Sequence, residues 1–130
     1  MNDYQSDRFI LYTIFLPLTD NNGNPIEPAL LDKVQDEIVT AIGGLTRYAP
    51  GVGVWRNPMG HVYRDLVLPI QILVPDDAEM QSWIVQQIAK MAALLEQEQI
   101  FVFAQVVWLL KAEPLLNVNQ VTEAIERIQV

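Results

Sequence analysis

Cysteine is absent from this chain, which removes disulfides, thiolate nucleophiles and Cys-ligated metals together. Histidine occurs once, at His61, and the sequence offers it no nucleophile or base with which to share a proton. Basic residues are scarce. Eight Lys and Arg against sixteen Asp and Glu leave a net charge of −8, and the averaged field repels phosphate backbones and anionic lipid, so neither nucleic acid nor a membrane is expected as a partner. The apolar run Phe9–Leu18 is too short to span a bilayer and carries Pro17 within it. The opening MNDYQSDR lacks the cationic start of a secretory signal. A soluble, cytoplasmic protein is the expectation. Internal repeats and low-complexity segments are lacking as well.

What is present is apolar. The 130 residues suffice for one packed domain, yet hydrophobic residues reach 51% and the mean hydropathy is +0.17, more than one ordinary core hides. Self-association accounts for the surplus most simply.

The chain is organised around Gly43–Asp65, GGLTRYAPGVGVWRNPMGHVYRD, which reads as two short strand-like arms flanking a tip rich in Gly and Pro. Before it, Phe9–Leu18 predicts a strand closed by the turn-forming run Thr19–Pro25. Leu30, Leu31, Val34, Ile38, Ala41 and Ile42 then recur at helical spacing after Pro28, and Gly43-Gly44 ends that helix. Beyond the hairpin, VYRDLVLPIQILV is an apolar strand in which Pro69, lacking an N–H, predicts a bulge or a locally unpaired side. Asp76 as N-cap and Glu79 at the third helical position predict a second helix, striped by Met80, Ile84, Ile88, Met91 and Leu95 and ending near Glu98. Ile100–Leu110 has strand composition. Val118, Val121, Ile125 and Ile128 predict a short terminal helix within a C-terminal extension, 112–130, while residues 1–8 read as a flexible N-terminus.

This order, strand, helix, strand, strand, helix, strand, predicts an α+β, ferredoxin-like sandwich: a four-stranded antiparallel sheet, both long helices on one face, and the 43–66 hairpin between strands two and three. The first and last strands are apolar at odd and even positions alike, so the helix-free face needs a cover. A second copy of the chain is favoured, with the terminal helix folded over the face as the rival.

Candidate functional residues gather in the hairpin: Arg47, Tyr48, Trp55, Arg56, His61, Tyr63 and Arg64, with Asp65 as its only acid. Guanidinium forks pair bidentately with a carboxylate or other anion, and aromatic neighbours stack against a ring. Each feature also has a plainer explanation. The arginines can pair with acids of the same or a neighbouring subunit, His61 can simply flank its turn, and the aromatics can serve as cross-strand pairs or interface. Gly51-Val52-Gly53 has no helix after it and so makes a turn or bulge rather than a phosphate loop. Asp76, Asp77 and Glu79 are better explained by capping than by a metal, and Met80, Trp83 and Met91 as core or interface filler than as a cofactor box. No metal or cofactor is expected.

The pattern Gly43-Gly44-x-Thr46-x-Tyr48, then Trp55-Arg56-Asn57-Pro58-x-Gly60, then Val62-Tyr63-Arg64, resembles that of small uncharacterised bacterial proteins of ferredoxin-like type. The resemblance implies the fold and supplies no activity. In layout alone the chain is similar to dimeric α+β barrel proteins such as the antibiotic-biosynthesis monooxygenases, without a motif match that transfers a catalytic residue. Two functions follow as expectations: a non-enzymatic homo-oligomeric module taking a small anionic or aromatic ligand near the hairpin, or a cofactor-independent barrel enzyme acting on a hydrophobic small molecule. The second requires His61, Tyr63 and Arg64 to converge on one closed apolar cavity.

Overall fold

A computed structural model of the chain describes residues 5–97, 100–111 and 126. Its elements are β1 (Gln5–Pro17), α1 (Pro28–Ile42), β2 (Thr46–Arg47), β3 (Gly51–Arg56), β4 (Val62–Pro75), α2 (Ala78–Leu94) and β5 (Val102–Lys111). The α+β class and the element order are as the sequence predicts. Five strands replace the expected four, because the second is broken into β2 and β3, and all belong to one sheet ordered β2-β4-β1-β5 with β3 also on β4. The pairs β1–β4, β2–β4 and β3–β4 are antiparallel. The chain divides into two compact units, Arg8–Val107 and Met1–Asp7 with Trp108–Val130. The first holds both helices, the core and the candidate site. The described parts of the second are Glu126, the start of β1 and the end of β5, where Trp108, Leu109 and Leu110 are exposed. The predicted terminal helix lies outside the described residues, save for Glu126 with helical backbone, as does Glu98.

Alternation decides the two faces of the sheet. On β1, Ile10, Tyr12, Ile14 and Leu16 are buried, and their partners Val74, Ile72, Ile70 and Leu68 on β4 are buried with them. This face packs against Leu31, Val34 and Ile38 of α1 and Ile84 and Met91 of α2. Met80 and Trp83 border the same core, as filler. The odd-numbered residues of β1 face the other way, and from Phe9 to Phe15 they are only half-buried. Phe103, edge-on to Phe15 with ring centroids 5.6 Å apart, stays 53% exposed. Across this face Gln71 accepts from the Tyr48 hydroxyl at 2.6 Å and donates to Thr13 Oγ1 at 3.1 Å, so its polar groups are paired in series from the residue after β2, through β4, to β1.

The break between β2 and β3 is a bulge. Arg47 opposes Ile70 and Gly51 opposes Val67, so Tyr48, Ala49 and Pro50 lie against only Leu68 and Pro69. Pro69 has no N–H to give at that point, and its carbonyl instead accepts from Tyr48 N at 3.0 Å. α1 opens with Pro28 in its first turn and closes on Gly43, whose φ of 104° is the left-handed conformation the sequence predicts. The cap of α2 differs by one residue. Asp77, not Asp76, accepts from Met80 N, while Asp76 pairs with Arg8 at 2.6 Å and accepts from Gln81 Nε2. β1 begins at Gln5, so residues 5–8, expected to be flexible, are strand, and α2 ends at Leu94 rather than near Glu98. Among the described residues no helix is long and apolar enough to cross a membrane.

Candidate functional site

The pairing of β1 with β4 stops at Pro17 and Val67, whereas β3 and β4 continue as a two-stranded ribbon out to Arg56 and Val62. The ribbon therefore overhangs the end of β1. Its tip is held by Asn57, whose Oδ1 accepts from Met59 N at 3.0 Å and His61 N at 2.9 Å, while Gly60 supplies a φ of 88°. At the base of the overhang, Thr19–Pro25 folds tightly on itself. Asp20 Oδ1 accepts from Asn22 N and Asn24 N, both at 2.9 Å, and Asn21 Nδ2 donates to the Glu96 carbonyl at 2.8 Å.

Between ribbon and loop lies a cavity of about 560 Å³. Its apolar walls are Phe15, Trp55, Tyr63 and Phe101, and its charged groups are Asp20, Arg64 and Asp65. Trp55 stacks on Phe101 with centroids 4.2 Å apart and planes 9° from parallel. That stack depends on Gly53. A Cβ there would sit 2.9 Å from Trp55 Cζ2 and Nε1, so the indole lies flat over a position only glycine leaves open. Gly53 is also the cross-strand partner of Asp65, and the carboxylate thus shares the ring's side of the ribbon. Among the described residues Asp65 makes no side-chain hydrogen bond or ion pair.

The sequence-predicted residues divide. Trp55, Tyr63 and Arg64 line the cavity. Arg47 stands across from Ile70 on the helix-bearing face, and its Nη1 donates to Oε1 of the buried Gln35 at 3.3 Å. Tyr48 is committed to Gln71. Arg56 and His61 are exposed at the ribbon's end. The three arginines thus do not share one pocket, and none forms an ion pair among the described residues. Sequence reasoning missed Phe15, Asp20 and Phe101. Phe15 and Phe101 read as strand apolars and Asp20 as a turn former, and the only available signal was that Phe15 occupies an odd position of β1.

Outside the cavity one shifted titration stands out. Burial raises the Tyr12 hydroxyl above the ordinary tyrosine value, helped by the negative charge of Asp76. Among the described residues no group of three or more His, Asp or Glu is placed to hold a metal ion.

Fold and site together define a small α+β protein of ferredoxin-like type with an aromatic-walled cavity at the base of an overhanging ribbon. No family model matches the chain, and no curated protein does. Among solved structures it is similar to a phage SAM lyase in complex with S-methyl-5′-thioadenosine, with a TM-score of 0.58 and 15% identity over 90% of this chain and 98% of the lyase. It is also matched by the divalent ion tolerance protein CutA1 from Ehrlichia chaffeensis, at a TM-score of 0.47 and 8% identity over 97% of this chain and 98% of that one. The GlnK–ATP complex of B. subtilis follows at 0.44 and 18%, covering 79% of this chain and 84% of the other. At such identities the likeness to the lyase concerns the fold.

Proposed function

We propose that the chain is a homo-oligomeric, non-enzymatic binding module whose cavity takes a small molecule carrying an aromatic ring. The observation that carries the reading is the cavity itself. Four aromatic side chains line a space of about 560 Å³, within the range of roughly 300–1,000 Å³ that small-molecule sites occupy, and they share it with a larger polar surface that includes Thr19, Asp20, Arg64, Asp65 and Gln97. Of the two ligand classes the composition suggests, the aromatic one is favoured, because the arginines needed for an anion are spread along the hairpin. Catalysis of the barrel type needed His61, Tyr63 and Arg64 on one closed cavity, and His61 lies in the exposed turn. Self-association is supported by the half-exposed aromatic and aliphatic residues of the helix-free face, Phe103 and Leu73 among them.

Isothermal titration with a panel of ring compounds tests the reading. S-methyl-5′-thioadenosine, the molecule held by the phage lyase, is the first probe, followed by simple benzyl derivatives. Saturable binding is expected, weakened about tenfold by Trp55→Leu, in keeping with the loss of one aromatic contact. A folded protein that gives no saturable heat with any ring compound at millimolar concentration sinks the proposal.

A further inference from the structure

We infer that the cavity receives the positively charged end of its ligand, so that the ligand is an organic cation, an alkylated ammonium or sulfonium group joined to a ring. The inference rests on the aromatic-ligand reading above and adds the sign of the charge. Three observations carry it. First, Asp65 is the hairpin's only acid and has no partner among the described residues, and its cross-strand neighbour is the glycine over which the Trp55 ring lies. The two faces of that ring are taken up by Gly53 and Phe101, so what attracts a cation here is the unpaired carboxylate's own charge.

Second, strand alternation separates the two neighbouring charges. Asp65 shares the side of Trp55 and Tyr63, whereas Arg64 pairs with Val54 and starts from the opposite side, although its side chain also lines the cavity. Asp20 supplies a second carboxylate to the lining. One of its oxygens is held by two backbone N–H groups of its own loop, which fixes the carboxylate in place. Two acids and one base leave the lining net negative. Third, the whole chain carries −8, and a cleft in a field of one sign concentrates counter-charged solutes. Anions are disfavoured on each of these counts.

The experiment uses three probes that share one ring and differ in charge: benzyltrimethylammonium, benzyl alcohol and benzoate. Each is titrated calorimetrically into the full chain at low salt and again at about 0.5 M NaCl, where exposed charges are screened beyond ~4 Å. The ammonium is expected to bind at least about tenfold more tightly than the alcohol, with benzoate weakest, and its advantage is expected to shrink at high salt. Asp65→Asn removes charge from an exposed, unpaired side chain and so leaves the fold intact. It is expected to cost the ammonium about five- to tenfold and the alcohol nothing. Asp20→Asn keeps an oxygen for the loop N–H groups and is expected to act in the same direction more weakly. Binding of all three probes with no preference for the ammonium, or a preference that survives both substitutions, overturns the cation assignment and leaves the aromatic-ligand reading standing. Failure of every ring compound to bind removes both.

Discussion

At the scale of single residues the site depends on a side chain that is missing. Gly53 has no Cβ, and the Trp55 ring fills the place where one would stand. Gly53→Ala therefore has to push the indole away from Phe101, giving up a stack with centroids at 4.2 Å. The obstructing atoms belong to a side chain, so the ribbon backbone can stay where it is while the ring moves. A loss of about 1–3 kcal/mol is expected, read by urea denaturation, together with a weakened near-ultraviolet circular dichroism signal from the displaced ring. Unchanged stability with an unchanged tryptophan signal would mean that the stack does not depend on this glycine. Asp65, the cross-strand partner of Gly53, has chemical meaning for the same local reason, since a larger residue at position 53 would crowd the space the two share.

At the scale of elements the deciding feature is the ribbon formed by β3 and the first half of β4. Beyond Val67 it has no neighbour in β1, so its order rests on its own cross-strand pairs and its turn, together with the Trp55–Phe101 stack and the bond from Leu18 N to the Leu66 carbonyl at its base. Asn57 closes that turn by accepting two backbone N–H groups at its Oδ1, whereas Met59 beside it is 85% exposed and takes part only through its backbone N–H, which a substitution of its side chain leaves in place. Asn57→Ala is expected to cost about 1–2 kcal/mol and to speed amide exchange from Gly51 to Leu66 selectively, with α1 and α2 unaffected. Met59→Ala should be silent in the same measurement. Uniform acceleration over the whole chain would show that the ribbon does not open by itself. Where the ribbon joins the sheet, the bulge at Tyr48–Pro50 permits the register change between β2 and β3, and Pro69, with no donor to lose, is well matched to the opposing position.

At the scale of the whole molecule, the helix-free face decides between a lone chain and an assembly. Phe103 is 53% exposed and Leu73 39%, and covering a few hundred Å² of such surface at about 25 cal/mol per Å² is worth several kcal/mol. Light scattering is expected to give a multiple of the 14.8 kDa chain mass, and Phe103→Asp to lower it toward the single-chain value while far-ultraviolet circular dichroism is retained. The substitution touches Phe15 only edge-on, so the helix-side core of Ile14, Ile70 and Ile84 remains closed. A wild-type protein that runs as a monomer at micromolar concentration would remove the assembly from the proposed function. An oligomer indifferent to Phe103→Asp would place its interface elsewhere.

Much of this architecture is legible in the residues because it follows from local chemistry. The apolar stripe from Leu30 to Ile42, the left-handed Gly43 and the alternating strands each report their own conformation through periodicity and backbone sterics. Pro69 announced an interruption on the same grounds, though not that the second strand would split. The cap of α2 was misplaced by one residue because Asp76 and Asp77 are equally suitable in sequence, and only the Arg8 guanidinium beside Asp76 distinguishes them. The hairpin was visible as a cluster of arginines and aromatics, but the chain alone could not say which of them meet. Pairing register sends Arg47 to Gln35 and leaves Arg56 and His61 exposed, and the approach of Phe15, Asp20 and Phe101 joins residues far apart in sequence to Trp55, Tyr63 and Asp65. Sequence by itself determined which segments are helix or strand and which side chains are apolar, since those are properties of neighbouring residues. The tertiary structure decided which charges face one another, because that depends on how distant strands register, and with it the sign of the cavity.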